Sequence, residues 1–120
     1  MKSREIKNPR AFPEVITALP KAIMQVKGIE AWVLQGENHQ LVFFEMNVNT
    51  QVPEHSHDYP QWGIMVEGKM RLTIDGVTHL IEKGDEYIIP ANAKHYATFL
   101  KKSRVIDFFS EKTRYRTEPS

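Results

Sequence analysis

The sequence predicts an all-β fold, and three observations support this. Short runs rich in Val, Ile, Phe and Tyr recur along the chain, separated by segments that contain Gly or Asn. None of these runs keeps a 3.6-residue apolar stripe for about twelve residues, as an amphipathic helix would. The Asp75-Gly76 pair between two such runs suits a type I′ hairpin turn, because both central residues of that turn need a positive φ. About nine short strands predict a sandwich or a small barrel.

The 120 residues fit one domain. Residues 1–22 are interrupted by three prolines and are predicted to form an arm, residues 23–110 to form the barrel, and residues 111–120 to form a polar tail. The runs end at Gly-containing or Asn-containing breaks such as Lys27-Gly28, Glu67-Gly68 and Lys83-Gly84. The predicted strands are, in order, Ala22 to Val26, Glu30 to Leu34, Leu41 to Val48, Gln61 to Glu67, Lys69 to Ile74, Val77 to Ile81, Glu86 to Ile89, His95 to Phe99 and Arg104 to Phe109.

Composition excludes several kinds of function. Sixteen Lys and Arg against fifteen Asp and Glu leave a net charge of +1, so no whole-chain field favours nucleic acid or anionic lipid. The absence of Cys excludes disulfides, thiolate metal sites and cysteine nucleophiles, and any metal must be held by nitrogen and oxygen. No secretory signal is visible, and no stretch approaches the ~20 apolar residues of a membrane span. We therefore expect a cytoplasmic protein whose partner is a small molecule.

Three of the five histidines lie where the strand pattern breaks. His55 and His57 are separated by one residue, and on an extended segment such positions project to the same side, where two imidazoles can share an ion. Gln61 starts the next strand and could bring an amide oxygen to the same point. His95 lies 38 residues beyond His57 and has to be returned by the fold. For a bare His-x-His pair, the ordinary interpretation is two exposed imidazoles on a polar segment.

These histidines belong to a longer pattern in two parts. The first part is His55-x-His57, Gln61 and Gly68, and the second is Gly84, Pro90, Asn92 and His95. Over residues 40–110 this pattern resembles the signature of the cupin superfamily, within the small single-domain type. The resemblance implies a double-stranded β-helix, a jelly-roll-like barrel, with one divalent transition metal ion held at its mouth by His55, His57, Gln61 and His95.

Four positions depart from that signature. Gln61 stands where the family usually has Glu, Asn49 and Asn92 stand where it usually has Gly, and Phe99 stands where it often has Asn. Asn tolerates the left-handed backbone region that a tight turn needs. Three imidazoles and one amide are neutral, so a bound ion would keep its full charge toward an anionic ligand. Zn, Fe, Ni, Cu and Mn all suit this set, and the alternative is a cupin that holds no metal.

Strand alternation also singles out an acid. Val105, Asp107 and Phe109 are predicted to share one face of the last strand, and a carboxylate among apolar neighbours is unusual. Asp107 is therefore a candidate general acid or base. The alternative is a strand-end carboxylate paired with Arg104 or Lys112. An arginine of the C-terminal residues could hold a substrate carboxylate if the fold returns it to the barrel mouth.

A closer resemblance joins these residues. The ligand set His, His, Gln, His, followed by Asp107-Phe108-Phe109-Ser110 and then Arg114, is similar to the KdgF family, which converts unsaturated uronates to linear ketonised sugars. That family usually has one more residue between the second His and the Gln. The resemblance implies that Asp107 moves a proton and that Arg114 holds the substrate carboxylate.

Two other functions suit the same residues. One is a metal-dependent dioxygenase or isomerase, since three His ligands with an acid or amide also serve those reactions. The other is a small-molecule or sugar sensor that binds without chemistry. Cupins are commonly dimers, and the Pro-broken N-terminal arm is predicted to pair with an edge strand of a second copy in a homodimer.

Overall fold

The computed structural model describes residues 11–119, and these residues contain nine β-strands and one short helix. Residues 1–10 of the predicted arm and Ser120 of the predicted tail lie outside the described residues. The elements are α1 (Glu14–Thr17), β1 (Ile29–Gln35), β2 (Gln40–Met46), β3 (Gln51–His55), β4 (Gln61–Glu67), β5 (Lys69–Ile74), β6 (Val77–Glu82), β7 (Glu86–Ile89), β8 (His95–Phe99) and β9 (Ser103–Phe109).

The strands form two antiparallel sheets whose neighbours come from distant parts of the sequence. One sheet has the order β1-β2-β9-β4-β7, and the other has the order β3-β8-β5-β6. The last strand thus lies between the second and the fourth, and the eighth lies between the third and the fifth. This interleaving is that of a jelly roll, and the predicted all-β, double-stranded β-helix fold is confirmed.

Buried side chains alternate with more exposed ones along the strands that line the barrel interior. In β4 the inward set is Gln61, Gly63 and Met65, which are buried, while Trp62 and Ile64 are only partly covered. In β9 the inward set is Val105, Asp107 and Phe109. Apolar side chains from both sheets meet in one core cluster, which includes Val42, Phe44, Met65, Met70, Leu72, Ala97, Phe99, Val105 and Phe109.

A second, smaller apolar cluster lies on the outer face of the five-stranded sheet. Phe12 packs edge-on against Phe43 at 5.6 Å between ring centroids, and Trp32 completes the cluster. The main-chain amide of Phe12 donates to the Glu45 carboxylate at 2.8 Å. The described part of the N-terminal arm therefore covers one face of β1 and β2, and Glu45 lies on that outer face rather than in the barrel.

One predicted strand is absent from the structure, and one strand of the structure was not predicted. Residues 22–26 do not form a strand, because Ala22 makes only an isolated bridge to Thr117 and the chain then runs along a cavity in the barrel. Strand β3 was not predicted, because Pro53 and the histidines break its pattern and its outer positions are exposed. The turn residues behave as expected: Asp75 and Gly76 have φ values of 46° and 82°.

The two asparagines at the positions where the family usually has Gly also adopt the left-handed region. Asn49 has a φ of 67° and Asn92 has a φ of 69°. Asn is the residue other than Gly that accepts this region with least strain. Both departures from the signature are therefore compatible with the turns they occupy.

Candidate metal centre

Three histidine rings converge at one end of the barrel. In the pairing of β3 with β8, His55 lies directly opposite His95, and their ring centroids are 4.2 Å apart. His57 follows β3 by two residues, with its ring 5.0 Å from that of His95. One ligand nitrogen from each ring lies within 4.8 Å of the other two, so the three side chains could hold a single metal ion. The fold thus returns His95 to the His-x-His pair.

The main chain fixes the tautomer of each ring. The Nδ1 atoms of His55, His57 and His95 lie 2.9, 2.8 and 2.9 Å from the carbonyl oxygens of Pro53, Tyr59 and Ala93. A carbonyl only accepts, so each Nδ1 carries the hydrogen and each Nε2 keeps a lone pair. This is the arrangement that orients a metal-binding imidazole.

Burial keeps two of these rings uncharged. It lowers the pKa of His95 to about 4, against the opposing effect of the hydrogen bond to Ala93. Burial also lowers the pKa of His55, and the nearby positive charge of Arg114 adds to the effect. Both imidazoles are therefore neutral at pH 7, as a metal ligand has to be.

Gln61 adds an amide oxygen to the three imidazole nitrogens as a fourth donor atom. Its Oε1 lies 3.1 Å from His57 Nε2, and its Nε2 donates to Asp107 Oδ2 at 2.9 Å. Because the hydrogen of His57 is on Nδ1, two lone pairs face each other across the 3.1 Å gap. A cation between them removes that repulsion, so the donor set of three imidazole nitrogens and one amide oxygen fits a divalent transition metal ion.

Tyr59 holds His57 in a second way. Its ring lies parallel to the His57 ring, with an interplanar angle of 7° and a centroid distance of 4.2 Å. Its carbonyl is the same one that accepts from His57 Nδ1. Tyr59 thus holds the His57 ring both by stacking and through its main-chain carbonyl.

Asp107 is buried beside Gln61, at the centre of the five-stranded sheet. Tyr87 donates its hydroxyl hydrogen to Asp107 Oδ1 at 2.5 Å, and Gln61 donates to Oδ2. Burial raises the pKa of Asp107 to about 7, against the lowering effects of those two hydrogen bonds and of the Arg114 charge. The carboxyl group is thus held by Tyr87 and Gln61, and neither Arg104 nor Lys112 provides these bonds.

Gly63 makes room for this arrangement. It is the direct neighbour of Asp107 in β9 on one side and of Tyr87 in β7 on the other. A Cβ at this position would come closer than 3.0 Å to both side chains. The hydrogen bond between Tyr87 and Asp107 therefore passes over a residue that has no side chain.

Arg114 reaches the same end of the barrel from the C-terminal residues. Its Nη2 lies 3.4 Å from His55 Nε2, and its guanidinium carbon lies 4.7 Å from the centroid of the Tyr115 ring. Among residues 11–119, no group accepts a hydrogen bond from its Nε, although that atom is shielded from solvent. The guanidinium thus lies beside the three histidines, with one of its nitrogens lacking an acceptor among the described residues.

A cavity of about 430 Å³ joins these groups. Its polar lining includes His55, Gln61, His95, Asp107 and Arg114, and all of the residues proposed from the sequence lie around it or in contact with one that does. Much of the remaining wall is apolar, with Met24, Val26, Phe44, Met46, Met70, Leu72 and Phe99 among its residues. The cavity can therefore hold a small molecule next to the three histidines.

Sequence reasoning missed two residues of this site. Alternation in β7 puts Tyr87 and Ile89 on one face, but only the pairing with β4 shows that Tyr87 faces Asp107. Tyr115 was placed in a polar tail, yet its ring packs edge-on against Phe44 and Phe109, and burial raises its pKa to about 12. An aromatic residue in an otherwise polar segment was the available signal.

Comparison with known proteins agrees with this architecture. The family profile described as a cupin domain matches residues 42–108. Among solved structures, KdgF from Halomonas sp. is 23% identical, with 78% of this chain and 86% of that chain covered and a TM-score of 0.70. An RmlC-like cupin from Shewanella frigidimarina is 22% identical, with 87% and 90% covered and a TM-score of 0.73.

A third solved structure is more distant in sequence. Salicylate 1,2-dioxygenase from Pseudoaminobacter salicylatoxidans, solved as adducts with gentisate, is 15% identical, with 72% of this chain and 26% of that chain covered and a TM-score of 0.68. At these identities the three likenesses concern the fold alone. No curated protein sequence matches the chain, and no helix among residues 11–119 is able to span a membrane.

The matched family segment runs from Val42 in β2 to Phe108 in β9 and is more than half of the chain. It contains the three clustered histidines, Gln61 and Asp107, whereas Arg114 lies beyond its end. The interleaved strand order and the solved structures agree with the same assignment. The chain therefore belongs to the cupin domain family.

Proposed function

We propose that the protein is a metal-dependent enzyme of the KdgF type, which converts 4,5-unsaturated uronates to linear ketonised sugars. The observation that carries this proposal is the Gln61 amide, whose oxygen faces His57 and whose nitrogen is bonded to Asp107. A single side chain thus joins the candidate metal ligands to a buried carboxyl group that lines the cavity. The fold likeness to KdgF from Halomonas sp. agrees with this reading.

In this proposal His55, His57, Gln61 and His95 are the metal ligands. When bound, a divalent ion of Zn, Fe, Ni, Mn or Cu would hold oxygen atoms of the substrate and stabilise negative charge on them. The chain itself supplies the ring orientation, since main-chain carbonyls fix all three imidazoles. It also supplies a partly apolar cavity wall next to these ligands.

The reaction needs a proton carrier, and we assign Asp107 that role. In the conversion the bond between C1 and the ring oxygen breaks, the hydroxyl on C1 becomes an aldehyde, and C5 becomes a ketone. The hydroxyl proton leaves O1 and a proton is added at C4, so the product is an isomer of the substrate and no oxidant is required. Asp107 lines the cavity and is tied by Tyr87 and Gln61, so its position toward the substrate is fixed.

Arg114 is proposed to bind the substrate carboxylate. Its guanidinium lies beside His55, and its Nε is a shielded donor without an acceptor among the described residues. Arg114 also lines the cavity, and a carboxylate bound there could accept two hydrogen bonds from one guanidinium. The substrate would then lie between Arg114 and the candidate metal ligands.

The test is an assay of the metal-loaded protein with a 4,5-unsaturated uronate, with loss of the alkene absorbance measured against a blank without protein. We expect turnover with at least one of the five metals, and loss of turnover in Asp107→Asn at unchanged metal content. His79→Ala is the matched control, since His79 is exposed on β6 and should retain full activity. Absence of turnover with every metal would contradict the proposal.

A dioxygenase is the second candidate, and the apolar part of the cavity wall favours it. Met46, Met70, Leu72 and Phe99 line the cavity without offering a partner to sugar hydroxyls. Such a wall suits an aromatic ring better than a polyol. Oxygen consumption by the iron-loaded protein with gentisate would support this candidate, whereas uronate turnover without oxygen uptake would exclude it.

A further inference from the structure

We infer that Gln40 is a positioning residue that acts through Arg114, and this inference rests on the proposed role of Arg114 in binding the anionic group of the substrate. Gln40 begins β2 and is only 1% exposed. A buried amide normally has to find partners for most of its donors and acceptors. Its partners are in the C-terminal segment that carries Arg114.

The amide of Gln40 holds both main-chain polar groups of Tyr115. Tyr115 N–H donates to Gln40 Oε1 at 2.9 Å, and Gln40 Nε2 donates to the Tyr115 carbonyl at 3.0 Å. This pairing resembles one step of a β-ladder in which a side chain replaces the neighbouring strand. It fixes the residue directly after Arg114.

A second amide holds the segment two residues before Arg114. Gln35 lies opposite Gln40 in the pairing of β1 with β2, and its Oε1 accepts from Gln40 Nε2 at 2.8 Å. Gln35 Nε2 donates to the carbonyl of Lys112 at 2.9 Å. Two adjacent glutamines on one hairpin therefore anchor Lys112 and Tyr115, and Arg114 lies between the anchors.

Aromatic contacts limit the movement of the Arg114 side chain. With its main chain held by Gln40, Tyr115 packs edge-on against Phe44 and Phe109 at centroid distances of 5.7 and 5.6 Å. The guanidinium carbon of Arg114 lies over both the Tyr115 and Phe109 rings, at 4.7 and 5.6 Å. Loss of the Gln40 hydrogen bonds would allow Tyr115 to move, and with it the ring against which the guanidinium packs.

The test compares Gln40→Met, Arg114→Met and the double variant. Met has nearly the volume of Gln but cannot hydrogen-bond the Tyr115 main chain. We expect Gln40→Met to raise the KM for a 4,5-unsaturated uronate about tenfold, with kcat changed less than about twofold and metal content unchanged. The KM of the double variant should equal that of Arg114→Met alone, because Gln40 acts only through Arg114. Multiplied effects on KM would overturn the inference.

Hydrogen exchange of the metal-free protein provides a readout that does not depend on activity. Amides from Thr113 to Arg116 should exchange at least about tenfold faster in Gln40→Met than in the wild type. Thr73→Val is the matched control, because it removes the side-chain hydrogen bond that the buried Thr73 makes with Thr78 in the other sheet, and should leave these amides unchanged. Unchanged exchange in Gln40→Met would overturn the inference.

The design also covers a variant that does not fold and a wild type that does not convert uronates. If Gln40→Met does not fold, Gln35→Met serves in its place, since Gln35 is exposed and is expected to act in the same direction with a smaller effect. If the wild type does not convert uronates, the proposed function fails, and the exchange comparison still decides whether Gln40 anchors the segment.

Discussion

Gly63 is the position where a single methyl group should disturb the site most. In Gly63→Ala the new Cβ would lie closer than 3.0 Å to both the Asp107 carboxylate and the Tyr87 ring. Neither neighbour is a flexible surface group, because both side chains are buried and their strands pair with β4 on either side. The side chains must move apart, and their hydrogen bond should break.

The expected decrease in the free energy of unfolding has two parts. Overpacking of a close-packed interior costs about 1–3 kcal/mol. Loss of a buried hydrogen bond to a carboxyl group adds about 1.5–3 kcal/mol when the bond involves a charged group. We therefore expect the free energy of unfolding of the metal-free protein to fall by about 3–5 kcal/mol, which lowers the Tm by roughly 10–20 °C for a domain of this size.

Urea and thermal denaturation followed by circular dichroism measure this effect. Gly36→Ala is the matched control, because the atoms nearest to its Cβ would be those of the His39 ring, the end of a half-buried side chain outside the barrel interior whose displacement would disturb at most its stacking on Phe108. That variant should lose no more than about 1 kcal/mol. Equal stabilities of Gly63→Ala and the wild type would refute the packing of Tyr87 and Asp107 over Gly63.

Three further predictions concern other parts of the barrel. In the metal-free protein, burial raises the pKa of Asp107 to about 7, so between pH 4 and 7 the folded state holds a proton on this carboxyl that the unfolded chain has lost, and the contribution of Asp107 to the free energy of unfolding falls as pH rises. Because the lowered pKa values of His55 and His95 act in the opposite direction, the Asp107 effect is measured as a difference: in urea titrations the free energy of unfolding of the wild type minus that of Asp107→Asn should fall as pH rises through this window, and a constant difference would contradict the raised pKa. Gln61→Glu replaces the amide that donates to Asp107 with a second carboxyl, so it should destabilise the metal-free protein by about 2–4 kcal/mol at pH 8 while tightening divalent-metal binding; a stability equal to that of the wild type at pH 8 would contradict the contact. Phe12→Ala should lower the free energy of unfolding by about 2–4 kcal/mol, because it leaves a cavity in the outer apolar cluster. Its metal content should equal that of the wild type, and loss of metal would contradict the independence of the outer cluster from the candidate metal centre.

Local patterns predicted the strands and the faces of their side chains. Alternation alone predicted that Val105, Asp107 and Phe109 share one face of the last strand, because the side-chain period of a strand is two. The turn at Asp75-Gly76 followed from the backbone freedom that its residues allow. These features depend on neighbours in the sequence, so they can be read from it.

Features that depend on distant pairing could not be read in this way. Strand β3 is recognisable only through its partner β8, because Pro53 and the two histidines conceal its period. The contact of Tyr87 with Asp107 joins residues 20 apart, and that of Gln40 with Tyr115 joins residues 75 apart. The convergence of His95 with His55 was available only through the family resemblance, since spacing does not determine which strands pair.

The most direct test of the account is a metal analysis of the purified protein. After reconstitution and dialysis, we expect about one equivalent of divalent transition metal per chain, and a sharp loss in His57→Ala and in His95→Ala, since each removes one of four ligands. His79→Ala, on an exposed position of β6, should keep the wild-type content. Failure of the wild type to retain any of the five metals, or full retention in His57→Ala and His95→Ala, would contradict a metal centre at the barrel mouth.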